Sequence, residues 1–180
     1  AGLVVALLPH VWFKTHITQC VSRQRDLVGL ITDSATGRVP HLGGPALILT
    51  LVQRGDLQGK DALESLFCPG DGAEDLRGVG GEAAYEGLDP ARPGDYDAFT
   101  SYGARDLSDP ANRFSRGSKA VILTIDDSED HHDGRGMVVG MSNGVAKWRD
   151  KLDDWELARD AVLEIGPGSL VAELRCLRKD

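Results

Sequence analysis

Apolar residues recur at helical spacing over the first part of the chain and predict one long helix from Leu3 to about Ala35. The apolar positions are Val4, Leu8, Val11 and Trp12, followed by Ile17, Leu27, Leu30 and Ile31. The stretch from Thr15 to Asp26 is mostly polar, which is typical of a helix that packs one narrow stripe against a larger body. Thr36-Gly37 ends the pattern, with the glycine suited to a left-handed cap.

Two shorter helical segments follow, and then a long loop. Pro45 suits the first turn of a helix predicted over Ala46 to Arg54, and a helical turn is predicted over Lys60 to Leu66. The chain from Cys68 to Pro93 is rich in glycine, proline and acidic residues. So long a stretch without periodicity predicts a loop on the surface.

The second half of the chain predicts an antiparallel sheet followed by helices. The predicted strands are 97–102, 119–125, 137–141 and 145–148. Asn143-Gly144 predicts a two-residue hairpin turn with positive φ at both central residues. Helices are predicted over Trp155 to Glu164 and, capped by Ser169, over Leu170 to Leu177. The pattern as a whole indicates an α+β protein.

Length and charge restrict the classes of function. A chain of 180 residues predicts one domain, and 41% hydrophobic residues is ordinary for a globular protein. The formal net charge of -8 argues against a nucleic-acid groove, which needs a basic stripe.

The three cysteines, Cys20, Cys68 and Cys176, leave two states open. An odd number permits one disulfide and one free thiol, or three thiols, and spacing does not choose between them. Outside the cytoplasm, Cys20 and Cys68 are the candidate disulfide pair. The chain has no CxxC pair, which argues against a common structural zinc motif.

A contiguous run of acids and histidines before the last hairpin is the candidate site for chemistry. It consists of Asp126, Asp127, Asp130, His131, His132 and Asp133. Carboxylates and imidazoles that lie close together can hold a divalent metal. All six residues lie in one loop, however, whereas catalytic metal sites usually gather ligands from several elements. A solvated acidic turn is therefore the competing interpretation, and no HExxH or Gly-rich phosphate loop accompanies the run.

Several segments carry a resemblance to a known family. Residues 1–31 join small residues, leucines and a proline to a polar helix that contains Cys20. GRVP at 37–40 has the form Gly-x-x-Pro, FCPGD at 67–71 has the form Phe-Cys-Pro-x-Asp, and SYG stands at 101–103. Together they resemble bacterial type IV pilin-like and type II secretion pseudopilin-like proteins, in the group with a C-terminal motif of His, nine residues and Asp-Gly.

The last part of that resemblance departs from the family in detail. Residues 126–148 have the same layout of acid, histidines, apolar strand, turn and aromatic residue. Ten residues separate His132 from Asn143, which stands where the family has aspartate, and Val145 replaces a histidine. The segment after Trp155 has no counterpart in the family.

The resemblance implies a structural subunit and not an enzyme. It predicts a pilin-like fold with the N-terminal helix over 1–35, as the remnant of a membrane-anchored helix, and a head over 36–180. Val4, Leu8, Val11 and Trp12 would form the assembly face. The expected partners are other pilin-like subunits and the bacterial inner membrane, with the head in the periplasm or on an extracellular filament. No cofactor is required, although calcium on Asp126, Asp127 and Asp130 is implied, as in major pseudopilins.

Two functions from other classes remain open at this point. One is a metal-dependent hydrolase that uses the loop from Asp126 to Asp133. The other is a secreted adhesion or binding module that uses the acidic loop from Asp71 to Asp97.

Overall fold

The computed structural model describes residues 2–33, 41–71, 75–89, 96–115, 118–126 and 128–179, with the backbone alone given for 2–10, 75, 97 and 129. The long N-terminal helix is confirmed and runs over Gly2–Thr32 (α1). Helix α2 follows at Pro45–Gln53 and helix α3 at Lys60–Glu64, close to the predicted bounds. No helix in the described part of the chain has the length and apolar character that crossing a membrane requires.

Five strands form one antiparallel sheet. They are β1 (Tyr102–Arg105), β2 (Ile122–Asp126), β3 (Gly136–Met141), β4 (Ala146–Asp150) and β5 (Leu177–Arg178). Their order across the sheet is β4-β3-β2-β1-β5. The α+β prediction is therefore confirmed, with a long helix packed on an antiparallel sheet.

The sheet buries both of its faces. On the helix-side face, Leu123, Val138 and Ala104 share a core with α1 and α2. On the outer face, Ile125, Met137 and Val139 pack against residues of the C-terminal segment. Side chains of β2 and β3 point to both faces, with an irregularity in β2 between Ile122 and Thr124, so both strands contribute to both cores.

Helix α1 reaches the sheet closely because β3 has a glycine at the point of contact. A Cβ atom at Gly140 would lie 2.5 Å from a methyl carbon of Val28 and would also overlap the Thr124 hydroxyl. The absence of a side chain lets α1 approach the backbone of β3. Polar atoms of the helix thereby come within hydrogen-bonding distance of the strand.

The predicted C-terminal helices are wrong. Residues 155–164 form turns and extended chain, followed by a short 3-10 turn at Ala172–Leu174 and by strand β5. Glu156 has φ of 55°, which is incompatible with a right-handed helix, and segments this short gain little helical stability alone. Leu163, Leu174 and Leu177 instead insert singly into the outer-face core.

Two other local predictions need correction. The strand predicted over Asp97 to Tyr102 begins as a 3-10 turn, Asp97–Phe99, and β1 starts at its last residue. In the last hairpin only Gly144 has positive φ, at 81°. Gly144 N donates to Met141 O and Met141 N donates to Val145 O, so the loop has three residues with a glycine bulge.

The long loop after Cys68 is held to the body at two points. Within its described portion, 75–89, the side chains of Leu76 and Tyr85 are buried in the helix-side core. The Tyr85 hydroxyl also donates a hydrogen bond of 2.8 Å to Phe99 O. These residues make the middle of the loop part of the core instead of a surface excursion.

A candidate metal centre between the helix and the sheet

A cluster of four ionisable side chains lies in the core between α1 and the helix-side face. It consists of Cys20, Cys68, Asp126 and His132, here called the Cys–Asp–His cluster. One potential metal-binding atom from each residue lies within 4.8 Å of the others. No side chain in the cluster is more than 2% exposed. Burial of so many ionisable groups is costly unless each has a partner.

Four different segments bring these side chains together. Cys20 lies on the buried stripe of α1, and Cys68 lies in the loop just after α3, where its backbone N–H donates to Ser101 Oγ. Asp126 is the last residue of β2. His132 ends the 3-10 turn Glu129–His132, which connects β2 to β3. The site therefore depends on the tertiary fold and not on any one loop.

Direct contacts connect all four residues. His132 Nε2 lies 3.1 Å from Asp126 Oδ2 and 3.5 Å from Cys68 Sγ. The Cys20 thiol donates to Asp126 Oδ1 over 3.0 Å. The two carboxylate oxygens thus face different partners, one the helix and the other the histidine.

A second layer of donors fixes the Asp126 carboxylate. Gln24 Nε2 donates to Asp126 Oδ1 at 3.2 Å and to Val138 O at 2.9 Å. Val138 N donates to Asp126 Oδ2 at 2.7 Å. The Gln24 carbonyl oxygen accepts from Thr124 Oγ1 at 2.9 Å, which sets the orientation of its amide. Asp126 therefore has little rotational freedom.

The two thiols have opposite acidities. The neighbouring Cys20 thiol, supported by His131 and His132, lowers the pKa of Cys68 to about 3 in spite of its burial. Burial raises the pKa of Cys20, and its proximity to Cys68 and Asp126 raises it further. These directions favour the thiolate form for Cys68 and the thiol form for Cys20. Gly70 N donates to the Cys68 sulfur at 3.4 Å and stabilises that charge.

The histidine and the aspartate form an ion pair. Burial alone would lower the pKa of His132, but hydrogen bonds to Asp126 and Cys68 outweigh it and raise the pKa to about 9. Burial raises the pKa of Asp126 and the Cys68 thiolate adds to the rise, while His132 opposes both. A cationic imidazole between two anions is the arrangement that these directions favour.

The geometry does not match a cysteine–histidine–aspartate catalytic triad. In a triad, one ring nitrogen faces the nucleophile and the other faces the carboxylate. Here His132 Nε2 faces both, and Nδ1 has no hydrogen-bond partner. The cluster is also closed to solvent, whereas a nucleophile must meet its substrate. Four converging donors inside a core are instead typical of a structural metal site.

The residues predicted to bind calcium do not all converge. Asp126 points into the core, while Asp130 is exposed and Asp127 lies outside the described residues. His131 is buried beside His132 but turns to Asp71, whose Oδ1 lies 3.1 Å from its Nε2. Calcium binding by the three aspartates stays a prediction.

The other predicted site residues have mixed positions. Cys20 and Cys68 lie in the same cluster with both sulfurs unbonded, so their disulfide stays a prediction. Val11 is 58% exposed and Trp12 is 49% exposed. Val4 and Leu8 belong to the helical backbone, but their side chains lie outside the described residues.

Sequence analysis named every member of the cluster but assigned them to two separate sites. Gln24 was missed entirely, although it is fully buried in the polar part of α1. The signal that was available is the composition of β2, where ILTID ends an apolar strand on a carboxylate. A fully buried acid at that position requires partners from elsewhere in the chain.

Comparisons of the chain with protein-family models, with curated proteins and with solved structures give no significant match.

Proposed function

We propose that the protein is a pilin-like subunit of a type II secretion pseudopilus or a type IV pilus-like filament, and that it acts by assembly. The partners would be other pilin-like subunits, packed through α1. A membrane-anchoring segment would precede Ala1, which would place the head on the periplasmic side of a bacterial inner membrane or on an extracellular filament.

The observation that carries the proposal is the exposure of two apolar side chains of α1 next to the part of the helix that packs in the core. From Phe13 onward the helix is built into the core of the head, with Phe13, Cys20, Leu27, Val28 and Ile31 all buried. These residues recur at spacings of three, four and seven, which is one face of a helix. A helix of 31 residues that packs in the head from Phe13 onward suits a subunit that joins its neighbours through other residues of the same helix.

Exposed apolar side chains mark where the anchored part of α1 begins. Val11 and Trp12 are exposed, although the next residue, Phe13, is only 8% exposed. Large apolar groups exposed side by side favour a contact with another chain. They belong to the predicted assembly face, and their exposure supports that assignment.

Photo-crosslinking in the native bacterium tests the proposal. A photoreactive amino acid is placed at Val11 in the full-length protein, and a matched variant carries it at Val162. Val162 is 62% exposed but lies in the C-terminal segment, far along the chain from α1. We expect a ladder of crosslinked subunits from position 11 and little from position 162. Equal yields from both positions, or no product from either, would contradict assembly through α1.

The gene upstream of the Ala1 codon provides a second test. A short basic leader, a glycine and an apolar run with one glutamate near its start would support the filament subunit. A complete ordinary secretory signal would count against it.

A further inference from the structure

We propose that the Cys–Asp–His cluster is a closed four-coordinate site for a zinc-type divalent cation, which fastens α1 to the head. The ligands would be the sulfurs of Cys20 and Cys68, one oxygen of Asp126 and Nε2 of His132. The inference rests on the buried cluster alone and is independent of assembly into a filament.

The donor set fits zinc better than calcium. Thiolate and imidazole are ligands that zinc prefers, whereas calcium takes six to eight oxygens. Only Asp126 supplies oxygen here, and the two sulfurs lie within 4.8 Å of each other. The predicted calcium site and this site therefore differ in chemistry and share only Asp126.

Three spacings between potential donors lie close to those of tetrahedral coordination, and one donor atom from each of the four residues lies within 4.8 Å of the others. Zinc bonds of about 2.0 to 2.3 Å at tetrahedral angles separate neighbouring ligand atoms by about 3.3 to 3.8 Å. The distances are 3.5 Å between Cys68 Sγ and His132 Nε2 and 3.1 Å between His132 Nε2 and Asp126 Oδ2. Cys20 Sγ lies 3.0 Å from Asp126 Oδ1. Coordination through a single carboxylate oxygen requires side-chain shifts, because Cys20 and His132 face different oxygens of Asp126.

Further hydrogen-bond donors surround the four proposed ligands and hold them in place, as is typical of metal sites in proteins. Gln24 and Val138 N hold the Asp126 carboxylate, and Gly70 N points at the Cys68 sulfur. Outer hydrogen bonds of this kind orient metal ligands and tune their affinity.

The role of such a centre would be structural. All four positions are filled by protein, and none is left for a substrate. The ligands join α1, the loop after α3, the end of β2 and the turn before β3. A metal bound only in the folded state stabilises that state, and here it would secure the docking of the helix.

Metal analysis of the 180-residue chain, purified without chelators or added thiols, is the first experiment. We expect one tightly held equivalent of zinc that survives competition with a chromophoric chelator. Removal by a strong chelator should lower the melting temperature by about 10 °C, and added zinc should restore it. Cobalt in its place should show the visible bands of a tetrahedral ion with thiolate charge transfer.

Variants separate the site from general effects on folding. The variants His132→Gln and Cys68→Ser should lose the zinc, and the thiolate charge-transfer band of their cobalt forms should weaken. Cys176→Ser is the matched control and should keep both the zinc and the band. Cys176 lies outside the cluster, with its sulfur accepting from Arg105. Thiol labelling of the folded wild-type chain should modify Cys176 alone, and all three cysteines after the metal is removed and the chain is unfolded.

Two results would overturn the proposal, and both use wild-type protein, so a variant that fails to fold does not obscure them. The first is a folded, fully reduced chain that takes up no zinc in competition with the chelator. The second is a Cys20–Cys68 disulfide in the native protein, seen as a mass increase of two hydrogens on reduction. A disulfide consumes both sulfurs and excludes the metal.

Discussion

The two faces of the sheet are built from the same strands but bury different chemistry. The buried core on the outer face is apolar, with Ile125, Met137 and Val139 covered by leucines of the C-terminal segment. The helix-side face adds a thiol, a thiolate, a carboxylate and an imidazole to an equally apolar core. An apolar core tolerates replacement of one apolar side chain by another of similar volume, whereas each buried polar group depends on a specific hydrogen-bond partner. The helix-side face should therefore be the more sensitive to small changes.

Removal of the carboxylate is expected to have the largest effect. Asp126→Ala leaves His132, Gln24 Nε2 and Val138 N without their acceptor inside the core. Loss of one partner of a buried ion pair costs about 3–5 kcal/mol. The free energy of unfolding, measured by denaturant titration, should fall by that amount. If Asp126→Ala lowers the free energy of unfolding by less than an ordinary surface substitution does, the buried ion pair contributes little to stability.

Truncation of a leucine on the outer face should cost somewhat less. Leu174 is fully buried, and Leu174→Ala removes apolar area and leaves a cavity, which costs about 2–5 kcal/mol. Leu170→Ala is the matched control, because Leu170 is 68% exposed. We expect the control to change the free energy of unfolding by no more than about 0.5 kcal/mol. If both variants lose the same stability, the C-terminal segment does not cover the sheet as described.

A single methyl group between α1 and β3 should have the smallest effect of the three. Gly140→Ala places a Cβ against Val28, Gln24 and Thr124, and such overpacking costs about 1–3 kcal/mol. Gly168→Ala is the control, since nothing lies within 4 Å of a Cβ at that position. Thermal unfolding of the two variants should separate them by several degrees, about 2–4 °C for each kcal/mol. A neutral Gly140→Ala would mean that α1 docks less closely than the structure shows.

The spacing of apolar residues predicted those helices and strands that bury one face against the core. The spacing of apolar residues located α1, α2 and the strands β2 to β4, because burial of one face imposes a period on the sequence. The same reasoning failed over Trp155 to Leu177. Its apolar residues are spaced as in a helix, but they enter the outer-face core one at a time from extended chain. A pattern of a few residues does not distinguish these two outcomes.

The candidate metal centre could not be predicted from local patterns for a different reason: its residues lie far apart in the sequence. Cys20 and Asp126 are in contact although 106 positions separate them, and Cys68 and His132 are 64 apart. The chemical type of each of these residues was enough to make it a candidate site residue. Only the tertiary fold shows that the aspartate turns away from Asp130 and towards the helix.

The distance along the chain between Gln24 and Val138 has a consequence for synthesis of the protein. The helix is made first, but the strand that accepts its hydrogen bond follows 114 residues later. At a translation rate of about 5–20 residues per second, roughly 6 to 23 s pass before that partner exists. During this interval the apolar side of α1, including Leu27 and Ile31, has no sheet to cover it. The nascent chain is therefore exposed to aggregation through α1 until the sheet has been made. Until then, only a surface outside the chain can cover the apolar side of this helix.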